Sequence, residues 1–169
     1  MQIDGLLNNW KVARETLIAE VMQIPADKFG FRSTPETWSV TQLVTHILGT
    51  QRAFVSAFCQ PGTNQTLQSV NAEVQRYAAE NPSLQKDELI AALESTMKWA
   101  EDTIRSYGED ALQEASQFAR LEGSKLDKLN FCVAHEMYHG GQVAVYERLL
   151  GIEPALTGRF KAAVSAAAP

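Results

Sequence analysis

The chain has 169 residues, of which 45% are hydrophobic, and it carries a formal net charge of -5 at pH 7. This length and composition predict a single domain over residues 1–169 with a core of ordinary size. The acidic balance and the lack of a block of Lys or Arg argue against nucleic acid as a partner, because phosphate binding needs a concentrated basic surface.

The first two predicted helices are separated by a stretch of helix-breaking residues. Helix one covers about residues 4–22, where apolar residues recur at helical spacing and Asp4 stands at the start. The stretch IPADKFGFRSTPETW then interrupts the pattern with Pro and Gly. Helix two is predicted over 40–59, because Ser39 is a favourable N-cap directly before an apolar run. Its predicted inward stripe is Leu43, Ile47, Thr50, Phe54 and Phe58.

The second half of the chain predicts two further long helices. Residues 61–82 are less regular and favour a short helix within VNAEVQRYAAE. Helix three is predicted over about 84–106, after Ser83. The segment 109–123 predicts a loop with an extended piece at SQFARLE, and helix four is predicted over 125–150.

Four amphipathic helices in one domain bury their apolar stripes most simply as a bundle. No part of the sequence predicts a strand of useful length. The connection of roughly 25 residues between helices two and three exceeds the ~2–8 residues usual between neighbouring bundle helices. We therefore predict an all-α four-helix bundle with a long crossover connection between helices two and three.

The cysteines and the first residues of the chain indicate the cellular compartment in which the protein is expected. Cys59 and Cys132 are far apart and each lies in an apolar stretch. This pattern favours buried free thiols and a reducing environment over a disulfide. The first residues lack a secretory signal, and no stretch approaches the ~20 apolar residues that span a bilayer. We expect a soluble, cytoplasmic protein.

The three histidines of the chain are His46, His135 and His139. His135 and His139 are four residues apart, so both lie on the inward face of helix four, and His46 lies at the edge of the inward face of helix two. Each alone is more often an ordinary buried or boundary residue. Together, without acidic partners on the same stripes, they favour a shared divalent metal site, since an unpaired imidazole in a core costs ~1–3 kcal/mol in desolvation.

Two glycines follow His139 directly. A Gly inside a helix costs ~1 kcal/mol relative to Ala. Gly140 and Gly141 are therefore expected to let a helix or ligand approach the backbone beside His139, or to mark a kink.

Residues 135–139 also form the H-E-x-x-H pattern of zinc proteases. One protease pattern then needs Gly and His where this chain has Gln142 and Val145. Another takes a third ligand from a later helix, whereas Glu147 lies on the same helix, too far along its axis. We therefore predict no peptidase activity.

Three residues near the histidines are weak candidates for catalysis. Glu136 and Tyr138 would handle protons, but both point away from the ligand face of the helix. Gln142 is placed to form a hydrogen bond near the site. The alternatives are a surface or boundary role for Glu136 and Tyr138, and a helix-packing amide for Gln142.

Three His ligands leave positions open for water or substrate, whereas structural zinc has four protein ligands. An ion held there lowers the pKa of bound water towards ~7 or keeps a thiol deprotonated. Imidazole suits several divalent metals, so the residues alone do not separate zinc from nickel, iron or manganese.

The two histidine segments resemble motifs of the DinB-like (DinB/YfiT) metalloenzyme family. ETWSVTQLVTHILGTQ is similar to a motif in which Trp-Ser opens a helix and His follows about two turns later. HEMYHGGQV is similar to the family's H-x3-H followed by Gly-Gln. The matching residues are Trp38, Ser39, His46, His135, His139, Gly141 and Gln142.

This resemblance implies a four-helix bundle with a three-His site that holds zinc or nickel, and a homodimer. It also implies small-molecule transfer or isomerisation with a bacterial thiol such as bacillithiol or mycothiol. Neither Cys59 nor Cys132 is placed to replace that thiol. The alternatives are a metal-dependent hydrolase that activates water and a non-catalytic metal-binding bundle for storage, sensing or dimer assembly.

Overall fold

A computed structural model describes residues 2–60 and 66–167. Its helices are α1 (Gln2–Gln23), a short 3₁₀ helix (Ala26–Lys28), α2 (Val40–Phe58), α3 (Leu67–Glu80), α4 (Lys86–Tyr107), α5 (Glu109–Leu112), α6 (Lys125–Leu149) and α7 (Ala155–Ala166). The four predicted long helices are α1, α2, α4 and α6, and they form a four-helix bundle as predicted. No helix of the described residues is both long and apolar enough to cross a membrane.

The arrangement of the long helices requires a crossover. Both α1 and α2 pack between α4 and α6, so α1 and α2 lie diagonally across the bundle. α2 and α4 run parallel, because the starts of both helices share one apolar cluster and their ends share the other. The chain must therefore return along the bundle between α2 and α4, which confirms the predicted crossover.

The return segment is α3, which packs along α2. At Gly49 of α2 an added Cβ would lie 3.3 Å from the carbonyl oxygen of Val74 and 3.4 Å from Cβ of Tyr77. Glycine at this position therefore lets α3 lie close to α2. Arg52 lies over the ring of Tyr77, 5.7 Å from its centroid, and adds a cation–π contact between the two helices.

The ends of the long helices show which predicted caps form. Ser39 accepts a hydrogen bond from the backbone of Gln42, and Ser124 and Asp127 form a second capping box. The third long helix begins after Gln85 instead of after Ser83, because the side chain of Glu88 closes a capping box on Gln85.

The segments between the long helices hold more helix than predicted. α3 extends over most of the irregular region, and α5 occupies the start of the predicted loop 109–123. The predicted extended piece is reduced to two isolated bridges, which pair Ala115 with Ser124 and Phe118 with Leu121. Cys59 and Cys132 are buried free thiols, as predicted.

A buried charge network joins the four long helices near the middle of the bundle. Nε of Arg14, on α1, donates to Oε1 of Glu136, on α6, over 2.5 Å. The other guanidinium nitrogens donate to the carbonyl oxygen of Leu93 on α4 and to Oε1 of Gln51 on α2. Trp10 Nε1 donates to the second carboxylate oxygen of Glu136 over 2.7 Å. This network positions α6, and with it the residues on either side of Glu136.

Candidate metal centre

The structure brings the three histidines together at the junction of α2 and α6. Nε2 of His135 lies 3.1 Å from Nε2 of His46 and 3.1 Å from Nε2 of His139. The candidate ligand atoms of all three residues lie within 4.8 Å of one another. The i, i+4 spacing on α6 and the inward edge of α2 produce this convergence, as the sequence predicted.

Burial keeps the three rings neutral. Burial first, and the neighbouring His rings second, lower the pKa of His46 to about 4 and the pKa of His135 to about 3. The pKa of His139 is also lowered by burial, against the opposing effect of its hydrogen bond with Gln142. Neutral imidazoles offer a nitrogen lone pair to a metal ion at pH 7.

Gln142 orients one of these rings. Its Oε1 atom lies 2.7 Å from Nδ1 of His139, and an amide oxygen only accepts hydrogen bonds. The proton of neutral His139 is therefore on Nδ1, and the lone pair of Nε2 faces the other two rings. Gln142 thus contacts the cluster through His139.

The donor set fits a divalent ion. Tetrahedral Zn²⁺ holds imidazole nitrogens at about 2.0–2.1 Å, which places neighbouring ligand nitrogens about 3.3 Å apart. The two Nε2–Nε2 distances of 3.1 Å are close to this spacing. Within the part of the chain that the structure describes, no carboxylate joins the three nitrogens. Such a set suits zinc, nickel and related ions better than Mg²⁺ or Ca²⁺, which prefer oxygen ligands.

Glu136 does not occupy the boundary position expected for it. It is 2% exposed, and its carboxylate is bound by Trp10 and Arg14 on the α1 side of α6. His135, one residue before Glu136, and His139, three residues after it, lie on a different face of α6. The carboxylate of Glu136 is therefore committed to the contact between α1 and α6, in contrast to the catalytic Glu of the protease pattern.

Tyr138 lies at the surface, which was the alternative role expected for it, whereas the two glycines show no close contact. Tyr138 is 67% exposed, and its ring meets the edge of His139 with centroids 5.0 Å apart. An added Cβ on Gly140 or Gly141 would meet no atom of the described residues within 4 Å. No close approach within this part of the chain explains the two glycines, and α6 continues through them.

Trp38, one of the residues that match the family motif, lies beside the histidines. It is 46% exposed, and its ring lies against His46, with centroids 4.6 Å apart. The hydroxyl of Tyr146 donates to the carbonyl oxygen of Trp38 over 2.8 Å and anchors it. The sequence feature that could have indicated this contact is the Trp-Ser pair directly before α2, because it sets the position of the Trp38 ring relative to His46.

Trp38 borders two cavities. One of about 380 Å³ is lined by Trp38, Gln142 and Tyr146, among others. The other, of about 260 Å³, is lined by Trp38 and by His46 itself. A small molecule in either cavity would therefore lie next to a candidate ligand or to its hydrogen-bond partner.

Replacing Gln142 with Leu should weaken metal binding about tenfold, because His139 loses the acceptor that fixes its tautomer. Competition with a chromophoric chelator measures this affinity. Gln68→Leu, a matched change at an exposed position of α3, should leave it unchanged. Equal affinities for Gln142→Leu and the unmodified protein would show that Gln142 does not support the site.

The chain matches the DinB family model over residues 1–164. No curated protein sequence matches it. Among solved structures, the mycothiol-dependent maleylpyruvate isomerase is similar, with a TM-score of 0.67 and 16% identity over 85% of this chain and 61% of that chain. The present chain thus spans less than two thirds of that isomerase.

Two solved structures from Bacillus subtilis match over most of both chains. The DinB-like protein YjoA has a TM-score of 0.65 and 16% identity over 87% of this chain and 92% of its own. YfiT is described as a probable metal-dependent hydrolase with an unusual four-helix bundle topology. It has a TM-score of 0.64 and 12% identity over 90% of this chain and 89% of its own. Likeness at these identities shows a shared fold, and the family match over nearly the whole chain shows that the protein belongs to the DinB family.

Proposed function

We propose that this protein is a metal-dependent enzyme that transfers a group between an external low-molecular-weight thiol and a small molecule. The observation that carries the proposal is the cluster of three neutral imidazoles beside two cavities. Within the described residues this cluster has three members, one fewer than the four protein ligands of structural zinc. A site of this kind leaves room for a reactant.

The roles proposed for the chain's own residues follow from their contacts. His46, His135 and His139 would hold a divalent ion, with zinc or nickel as the proposed metals. Gln142 orients His139, and Trp38 forms a wall over the rings. When bound, the ion supplies positive charge that keeps a thiol, or a water molecule, deprotonated near neutral pH.

The thiol is proposed to come from outside the chain. Burial raises the pKa of Cys59 to about 12 and raises the pKa of Cys132 well above its usual range. Both thiols pack in the apolar cluster at the far end of α2, and a protonated, buried thiol is a poor nucleophile. The similar isomerase is mycothiol-dependent, which supports a sugar thiol of this type as the class to test first.

A metal-dependent hydrolase is the second candidate. The description of YfiT as a probable metal-dependent hydrolase favours it. Hydrolysis commonly uses a general base near the attacking water, and the carboxylate nearest in sequence, that of Glu136, is bound by Arg14 and Trp10. The engagement of Glu136 is why we place thiol transfer first.

We also propose that the protein acts in the cytoplasm as a homodimer. Large apolar side chains are exposed along α6 and α7, including Tyr138, Val145, Leu149, Phe160 and Val164. A patch of this kind is typical of a protein interface. Light scattering coupled to size-exclusion chromatography should give twice the chain mass of 18.7 kDa.

Cobalt substitution tests the proposed thiol reaction. Titrating cobalt-loaded protein with mycothiol, bacillithiol or glutathione should add a sulfur-to-cobalt charge-transfer band in the near ultraviolet. The band should be absent in His139→Ala and present in Met137→Ala, a change at an exposed position of the same helix. If no thiol alters the cobalt spectrum, thiol transfer is wrong and the hydrolase becomes the better proposal.

A further inference from the structure

The cavity of about 260 Å³ beside His46 lies between α2 and the crossover helix α3. Gln42, Thr45 and His46 form its α2 wall. Gln75 and Asn81 belong to the α3 side, and Trp38 forms a further part of the boundary. The cavity therefore exists because the crossover returns along α2, and it reaches one of the three candidate metal ligands.

Among the described residues, the lining of this cavity contains hydrogen-bonding groups but no Asp, Glu, Lys or Arg. Gln42 uses its Oε1 atom to accept from the backbone of Ser39, which leaves its amide N–H groups available. Asn81 uses Nδ2 to donate to the carbonyl oxygen of Tyr77, which leaves its Oδ1 atom available. Donors and acceptors are thus both present without an ionised side chain.

Two further lining residues have unused hydrogen-bonding capacity. The Thr45 hydroxyl is buried and has no hydrogen-bond partner among the described residues, although buried polar atoms in native proteins are nearly always paired. Gln75, on the facing helix, is exposed and lines the same cavity. That hydroxyl has almost no accessible surface, so the groups open to a ligand on opposite walls are the exposed carboxamide of Gln75 and the amide N–H groups of Gln42. Together they suit a ligand that both donates and accepts hydrogen bonds.

We propose that this cavity binds a neutral hydroxyl or carboxamide portion of the small-molecule reactant and discriminates against a carboxylate. A carboxylate would leave water without gaining a cationic partner, which is costly, and it would face the acceptor oxygen of Asn81. The inference rests on the proposed function, because it assigns the ligand chemistry of the same site. Its selectivity is nevertheless measurable in protein without metal.

Succinamide and succinate provide a matched pair of probes that differ in charge. Each is titrated into metal-free protein, and NMR follows the indole N–H of Trp38 and the side-chain amides of Gln75 and Asn81. Succinamide should shift all three signals, and succinate should bind at least about tenfold more weakly. Metal-free protein is used because a carboxylate can also bind a metal ion directly.

Variants of the cavity wall locate the binding. Gln75→Leu should weaken succinamide binding about three- to tenfold, the range for one lost hydrogen bond. Gln68→Leu should bind succinamide like the unmodified chain.

Succinate binding as tight as succinamide, or unchanged succinamide binding in Gln75→Leu, would overturn the proposal. These outcomes are distinct from failure of the proposed function. If succinamide binds as expected but no thiol alters the cobalt spectrum, thiol transfer fails and the neutral-ligand cavity stands. If thiols do alter the cobalt spectrum but succinamide does not shift Gln75 and Asn81, the cavity assignment fails alone.

Discussion

Glu136→Gln should lower the free energy of unfolding by about 3–5 kcal/mol, because it leaves the charge of Arg14 buried without its counter-ion. Both side chains of this ion pair are 2% exposed, and Nε of Arg14 lies 2.5 Å from Oε1 of Glu136. The amide keeps the shape of the carboxylate but not its charge. Urea unfolding followed by circular dichroism measures the change.

A matched pair on the surface provides the control for Glu136→Gln. The side chains of Glu73 and Arg76 are 50% and 61% exposed and also 2.5 Å apart, so Glu73→Gln should change stability by less than about 1 kcal/mol. The double change Arg14→Met with Glu136→Met should restore most of the stability, since it removes both buried charges.

The Glu136→Gln variant also distinguishes a structural role of Glu136 from a catalytic one. The metal-loaded protein should not cleave casein, and Glu136→Gln should not alter that result. A Glu136→Gln protein of unchanged stability would contradict the structural role. Casein cleavage that requires Glu136 would contradict our assignment of the H-E-x-x-H segment.

Glu147→Gln should stabilise the protein, and the gain should increase from pH 5 to pH 9. Glu147 lies on α6 with its side chain fully buried. Burial, reinforced by the carboxyl of Glu20 within hydrogen-bonding reach, raises the pKa of Glu147 to about 9. Gln23 donates to Oε1 of Glu147 over 3.3 Å, while Arg148, at the next position of α6, opposes the rise in pKa.

Glu20, the carboxyl beside Glu147, also holds the start of α7. Its carboxylate oxygens accept hydrogen bonds from the backbone N–H groups of Ala155 over 2.5 Å and Leu156 over 3.1 Å. Glu20 therefore caps the first turn of α7. No donor from the described residues reaches Oε2 of Glu147, as expected for a carboxyl that keeps its proton beside Glu20.

The direction of the pH effect follows from the raised pKa. In the unfolded chain Glu147 ionises near its usual pKa of 4.5, whereas in the folded chain it keeps its proton to about pH 9. The folded state thus binds more protons between these values, and its stability falls with increasing pH by up to about 1.4 kcal/mol per pH unit. Below pH 4.5 both states hold the proton, and above pH 9 the loss is complete.

Glu147→Gln removes this titration and can still donate from its amide to Glu20. At pH 8 we expect it to exceed the unmodified protein in stability by on the order of 2 kcal/mol, and at pH 5 by much less. Glu94→Gln, at an exposed position of α4, should leave the pH profile parallel to that of the unmodified protein. A difference that does not change between pH 5 and pH 8 would show that Glu147 is ionised in the fold.

The features predicted from sequence are those encoded by local periodicity. The four-residue spacing of His135 and His139 places both rings on one face of a helix, and the apolar stripe of α2 places His46 at its inner edge. The long connection after α2 predicts a crossover because loops of that length are unusual between neighbouring helices. Each inference depends on residues within one helix or one connection.

The features that sequence did not predict depend on contacts between distant segments. Glu136 is held by Arg14, which is 122 positions away, and no spacing rule identifies such a partner. Glu20 and Glu147 meet across α1 and α6 for the same reason. The exposure of Trp38 depends on how the chain enters α2, and α3 becomes a cavity wall only once the crossover direction is known.

We propose that His46, His135 and His139 together bind one metal ion. Elemental analysis of protein purified without an affinity tag should give one divalent ion per chain. His46→Ala should lower the metal affinity by more than about 100-fold, beyond the loss expected for a supporting residue, while circular dichroism still reports a helical fold. Met137→Ala, between the two His of α6, should retain the ion. Full metal occupancy in His46→Ala would contradict the three-histidine site.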